Sequence, residues 1–191
     1  MRKLILFLHA SLDGFVEGPN GAMDIGWIAY DADLAKHARE ILSTVDTVIW
    51  GRATYQMMHN YWPTMLSNPE ASEHERNHAE WIEKTEKIVF STTLDKVEWN
   101  HSRLVKDHVE DEINKLKQQS GKDMIILGSP RFAHYFMQLG LIDEYKITIS
   151  PVLIGEGLRL FQGVHEKTNL KLIENKTFAS GAIGLHYQKI V

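Results

Sequence analysis

One junction constrains this chain more than any other feature. From Asp123 to Phe136 it reads DMIILGSPRFAHYF, an apolar run that passes through a glycine into a helix. Met124, Ile125, Ile126 and Leu127 follow one another without a polar break, the pattern of a strand covered on both faces in an α/β sheet. Gly128 lets the backbone turn. Ser129 and Pro130 then read as N-cap and first helical residue, so a helix begins with unpaired N–H groups and its positive dipole end at the C-terminal edge of a sheet. Anions bind well there. A plain strand-to-helix connection would use the same residues.

A second junction of this kind strengthens the anion reading. Thr47-Val48-Ile49-Trp50 is an apolar run that ends in Gly51-Arg52-Ala53-Thr54 before a helical stretch from Tyr55 to Asn60. It offers close backbone approach, a cation and a hydroxyl, the three things a phosphate needs. Lys87 to Phe90 forms another strand, stopping at Ser91-Thr92-Thr93, where clustered hydroxyls suit a ribose phosphate. Leu4 to Leu8 reads as a central strand, followed by turn signals at Ser11–Gly14 and Glu17–Gly21 and then loop to about Ile28. A loop that long beside a first strand suits a lid.

Asp31 or a neighbour caps a helix whose apolar positions are Leu34, Ala38, Ile41, Leu42 and Val45, with Asp33 in its first turn. Arg103 to Val105 is a short strand, and Val109, Ile113 and Leu116 mark a helix closed by Ser120-Gly121. After Gly140, Glu144–Val152, Leu170–Phe178 and Ile183–Ile190 read as three strands without intervening helices, which should pair antiparallel at one side of the sheet. The loop from Leu153 to Phe161 holds two glycines and is no dinucleotide fingerprint. The expected fold is α/β: one domain over residues 1–191, a three-layer, mostly parallel mixed sheet with helices on both faces and an antiparallel C-terminal end.

Asn68-Pro69-Glu70 reads as the start of a helix running to about Lys84, and inside it lies His74-Glu75-Arg76-Asn77-His78, a literal HExxH. Two histidines four apart can ligate zinc with the glutamate as base, the arrangement of a zinc hydrolase. Arg76 between the ligands, polar flanks and no identified third ligand favour a solvated amphipathic helix, and no metal is expected. The chain has no cysteine, a net charge of −4 and 43% hydrophobic residues. Thiolate chemistry is excluded, broad nucleic-acid binding is disfavoured, and no stretch reaches membrane-spanning length. A cytoplasmic location is expected: the opening MRKLILFLHASLDGF has Asp13 and no small-residue cleavage site.

Taken together, His9–Phe15, Val48–Thr54, Val89–Thr92, Ile126–Ser129 and the run from Leu141 through Ser150-Pro151 and Gly155-Glu156-Gly157 to Phe161 resemble the dihydrofolate reductase fold. The branch they resemble is the reductase domain of bifunctional riboflavin-biosynthesis enzymes. This resemblance spans nearly the whole chain and implies NADPH-dependent reduction of a C=N or C=O in a small heterocyclic substrate. It implies that Gly51, Arg52 and Thr54 hold phosphates, that Ser91 and Thr92 meet the adenosine 2′-phosphate, and that Gly128, Ser129 and Arg131 line the pyrophosphate. Ala10 would border the nicotinamide. Asp33, within Ala32–Ala35, falls where dihydrofolate reductases carry their substrate-binding carboxylate, which makes it the catalytic candidate. A homodimer is implied as well. Gly128-Ser129 in place of paired glycines, and Glu83-Lys84-Thr85-Glu86 in place of an arginine for a glutamate tail, point away from folate. A ligand-binding protein for nucleotides or pterin-like molecules, without turnover, is the alternative.

Overall fold

The computed structural model describes residues 1–21 and 23–190. At its centre runs β1 (Leu4–Ser11), whose side chains alternate between two cores. Leu4, Leu6 and Leu8 enter one, and Ile5 and Phe7 the other. Both faces of this strand are therefore covered, as its unbroken apolar run requires.

Parallel neighbours flank it: β6 (Asp123–Leu127) on one side and β7 (Glu144–Ser150) on the other. Beyond β6 lie β3 (Val45–Gly51), β4 (Glu86–Phe90) and β5 (Ser102–Val105), all parallel. Beyond β7 lie β10 (Ile183–Lys189) and then β9 (Leu170–Thr177), both pairings antiparallel. The eight-stranded order is β5-β4-β3-β6-β1-β7-β10-β9, the mixed sheet with an antiparallel end that was expected.

One face carries α1 (Ala32–Ser43), α2 (Arg52–Met65) and α3 (Glu73–Lys84), which bring Ala38, Ile41, Tyr55 and Ile82 onto Phe7, Val48, Trp50 and Ile125. The other carries α4 (Val109–Gln118) and α5 (Pro130–Gln138), with Ile113, Leu116, Ala133 and Phe136 on Leu4, Leu6 and Ile126. Among the described residues no helix is long and apolar enough to cross a membrane.

Three local expectations change. Val45 opens β3 rather than closing α1, since Thr44 already caps that helix. The third helix starts at Glu73, not near Asn68: Ser72 and Glu75 form a capping box that satisfies its first N–H groups, which the turn at Asn68–Ala71 cannot do. The loop after β1 contains a short strand, β2 (Phe15–Glu17), clasped antiparallel to β8 (Leu158–Arg159). Gly157 makes the clasp possible, because a Cβ there would collide with the carbonyl oxygen of Glu17.

Candidate active site

Two strand ends and two helix starts meet at the C-terminal edge of the sheet. β3 delivers Gly51 to α2, and β6 delivers Gly128 and Ser129 to α5. Trp50 locks the strand ends together by donating its indole N–H to the Leu127 carbonyl at 2.8 Å. Ser129 is the N-cap residue of α5, but its left-handed backbone (φ 57°, ψ 49°) takes the hydroxyl away from the helix's own N–H groups. That hydroxyl instead accepts from Thr54 Oγ1 at 2.9 Å and from the Gly51 N–H at 3.4 Å. Gly51 has no side chain to cap α2. Both helices thus present uncapped N-termini, joined side by side, where unpaired N–H groups and the dipoles favour an anion. Gly128 sits at φ +65°, and a Cβ on it would point into open space.

A cavity of about 490 Å³ opens from this edge. Gly51, Ala53, Thr54 and Gly128 to Phe132 line its near end, Phe7, Leu8 and Leu127 its middle, and Met23, Ile25 and Ile28 of the loop after β2 also border it. Glu17, buried on β2, reaches this cavity and accepts a 2.6 Å hydrogen bond from Arg131 Nη1. The wall is largely apolar with few polar groups, the usual make-up of a small-molecule site.

The far end is built by His9 of β1, Tyr30, Arg39 of α1, Met57, Met58 and Trp62 of α2, and His74 and His78 of α3. His78 packs on Trp62 with ring centroids 4.1 Å apart, and Tyr30 lies edge-on to His9 at 6.0 Å. Burial pushes both His9 and His78 down to about 4, so both rings are neutral at pH 7. Tyr30 is 47% exposed as a residue, yet desolvation of its hydroxyl against the cavity wall raises it above the ordinary phenol value, which keeps its proton in place. A second hollow, of about 660 Å³, lies beyond Phe132, which lines both spaces. Ser91, Thr92, Lys106 and Tyr135 line that second hollow, with Asp107 and Asp111 also on its rim.

The model of the RibD C-terminal domain matches residues 2–183. This chain belongs to that family. The uncharacterized protein YyaP of Bacillus subtilis is 34% identical over 186 residues, covering 97% of this chain and 94% of YyaP. Among solved structures, the chain is similar to the Thermotoga maritima diaminohydroxyphosphoribosylaminopyrimidine deaminase/5-amino-6-(5-phosphoribosylamino)uracil reductase, with TM-score 0.68 and 17% identity. That match covers 99% of this chain and 57% of the other. It is also similar to dihydrofolate reductase of Enterococcus faecalis, solved with NADP(H), with TM-score 0.62, 14% identity and coverage of 99% and 97%. At these identities the structural matches establish the dihydrofolate reductase-like fold.

Within this RibD C-terminal domain, the residues expected at the site are placed as follows. Gly51, Thr54, Gly128, Ser129 and Arg131 line the cavity, and Ser91 and Thr92 line the adjoining hollow. The Ser91 hydroxyl already accepts from the Thr93 and Leu94 N–H groups, while Thr92 is exposed. Arg52 is exposed at the first residue of α2, outside both linings. Ala10 is fully buried in the core behind the cavity wall. Asp33 is exposed on the first turn of α1 and is not part of the lining; the capping role there is taken by Asp31, which accepts from Leu34 N–H at 2.7 Å.

Sequence alone gives no site role to Tyr30, Arg39 or His9, and it offers His74 and His78 only as zinc ligands on a helix taken to be solvated. For the last two the HExxH spacing was the signal, since it puts both histidines on one helical face. That face is not simply solvated, as expected, because α3 packs on α2 and turns His74 and His78 into the cavity. Glu75 is engaged elsewhere, accepting from Ser72 and from Tyr61 Oη, and these bonds hold its carboxyl below the ordinary range. Among the described residues no group of three or more His, Cys, Asp or Glu is placed to hold a metal.

Proposed function

We propose that this chain is an NADPH-dependent reductase that passes a hydride to a C=N or C=O of a small heterocyclic substrate. The observation that carries this reading is the pair of uncapped helix N-termini, tied by the Thr54–Ser129 hydrogen bond, at one end of a largely apolar cavity. The residues fit a phosphate-bearing cofactor. Pyrophosphate would lie over Gly51 to Thr54 and Gly128 to Arg131, where open space above Gly128 admits close approach. Thr92, Ser91 and Lys106 would face the adenosine 2′-phosphate, with Arg52 contributing charge from the rim. The bound nicotinamide supplies the hydride.

The protein's own part is to orient the substrate, exclude water and provide a proton. Tyr30, on the cavity wall and protonated at neutral pH, is the group placed to give that proton. Asp33, exposed and outside the lining, serves in this reading as a favourable charge at the N-terminus of α1. The working unit is a homodimer in the cytoplasm.

Titration calorimetry with NADPH and with NADH tests the cofactor. NADPH should bind more tightly, and Arg52→Ala should narrow the difference. A charge-assisted contact contributes roughly 1.5–3 kcal/mol, or about tenfold to a hundredfold, the upper limit for a rim residue. Failure of both nucleotides to bind sinks the reading. Tight NADPH binding with no hydride loss to any carbonyl or imine acceptor would leave a binding protein instead.

A further inference from the structure

The far end of the cavity contains a chain of donors with a fixed direction. A guanidinium donates and never accepts. Arg39 Nη1 lies 3.4 Å from His74 Nδ1, so that nitrogen must be the acceptor. A neutral imidazole carries its proton on the other nitrogen, which here is Nε2, 3.5 Å from the Tyr30 hydroxyl oxygen. The Tyr30 oxygen therefore accepts from His74. Its own O–H is left free to donate into the cavity it lines.

The surroundings of that hydroxyl define what it can meet. Trp62, with His78 packed against it at a tilt, offers flat uncharged surface, and Met57 and Met58 offer adaptable thioether walls. Arg39 is the cation among the described lining residues at this end, and it is turned toward His74. A phosphate would find no second cation beside it there. A planar ring with one hydrogen-bond acceptor at its edge matches both the walls and the donor.

We propose that the Arg39–His74–Tyr30 chain is the substrate-recognition element of the cavity, and that it selects a flat, unphosphorylated aromatic heterocycle by donating from Tyr30 to a ring carbonyl oxygen or imine nitrogen. The proposal rests on the reductase reading for the word substrate, whereas the binding it describes needs no cofactor. Tyr30 touches the ligand; His74 and Arg39 are positioning residues that fix which way its proton points.

The probe is pteridine-2,4-dione, titrated into the whole protein without nucleotide. It should bind the wild type, and Tyr30→Phe should weaken binding by roughly three- to tenfold, the scale of one neutral hydrogen bond. Nitrogen-15 spectra recorded at alkaline pH, where imidazoles are neutral, should place the His74 ring proton on Nε2, and Arg39→Met should shift that tautomer toward Nδ1–H while the melting temperature holds. Uridine 5′-monophosphate should compete poorly. The proposal is overturned by no binding of the probe to the wild type, by equal binding to Tyr30→Phe, by a wild-type Nδ1–H tautomer, or by tighter binding of the phosphorylated competitor. A parallel NADPH titration keeps the two readings apart. Absent NADPH binding with an intact probe response removes the reductase reading alone, and the reverse result removes the recognition element alone.

Discussion

At the scale of single residues, the site depends on conformations and protonation states that an ordinary side chain would not adopt. Gly128 at φ +65° is one such position. An alanine there would incur about 1–2 kcal/mol of left-handed strain and would also place a methyl group where the pyrophosphate is proposed to approach. Gly128→Ala should therefore lower the melting temperature by several degrees and weaken NADPH as well; a shifted melt with unchanged NADPH affinity would confine its role to the turn. His9 and His78 give a second prediction. Both have folded-state values near 4, below the unfolded value of 6.5, so between these limits the unfolded chain binds more protons and stability falls as pH falls. Each should contribute a loss of about 2 kcal/mol between pH 7 and pH 5, before most carboxylates titrate. Denaturant unfolding at the two pH values measures it, and His78→Phe should remove roughly half of the slope. His37, lowered mainly by burial, adds to the same trend.

At the scale of elements, the chain's regular pieces were legible where local chemistry decides and obscure where distant contacts decide. The runs at Leu4–Leu8, Val48–Trp50 and Met124–Leu127 announce buried strands because no other element covers so much apolar surface in so few residues, and the glycines after two of them announce the turns. The start of α3 was misplaced because Asn68-Pro69 is a good turn signal, yet the spacing of Ser72-Glu73-His74-Glu75 carries the stronger one: Ser72 caps Glu75 N–H while Glu75 reaches back to Ser72 N–H. Ser72→Ala should cost about 1 kcal/mol and lower the melting temperature by about 2–4 °C, measurable by calorimetry. An unchanged melt would mean that packing of α3 on α2, rather than the cap, sets the helix boundary. β2 and β8 were illegible for a different reason. At three and two residues they have no periodicity to read, and their pairing depends on Gly157 meeting Glu17 across a long stretch of sequence. The same clasp buries Glu17 beside Arg131, so the anion-binding edge could be read from sequence while its acidic neighbour could not.

At the scale of the whole molecule, the three layers are unequal. α4 and α5 cover the parallel strands on their face, but the antiparallel end of that face continues past them. In register across β7, β10 and β9 it presents Tyr145, Tyr187 and Leu172, then Ile149 and Ile183. Leu172 and Ile183 remain 45% and 42% exposed, and Phe161, against Tyr145, is 50% exposed. Among the described residues β9 is also the sheet's edge, paired only to β10. Lys171 and Lys176 on β9 discourage edge-to-edge strand addition, a common device against aggregation, so the face rather than the edge is the better surface for a partner. Isolated exposed apolar residues need no explanation, but a contiguous set on one sheet face does. The proposed homodimer would use it, with the same patch contributed by both copies. Sedimentation at micromolar concentration should then report a dimer, and Leu172→Lys with Ile183→Lys should give a monomer whose NADPH affinity is nearly unchanged, because β7, β9 and β10 contribute no residue to the cavity lining. A monomeric wild type would dismiss the dimer. A dimer that survives both lysines would move the interface elsewhere and leave this face to some other contact.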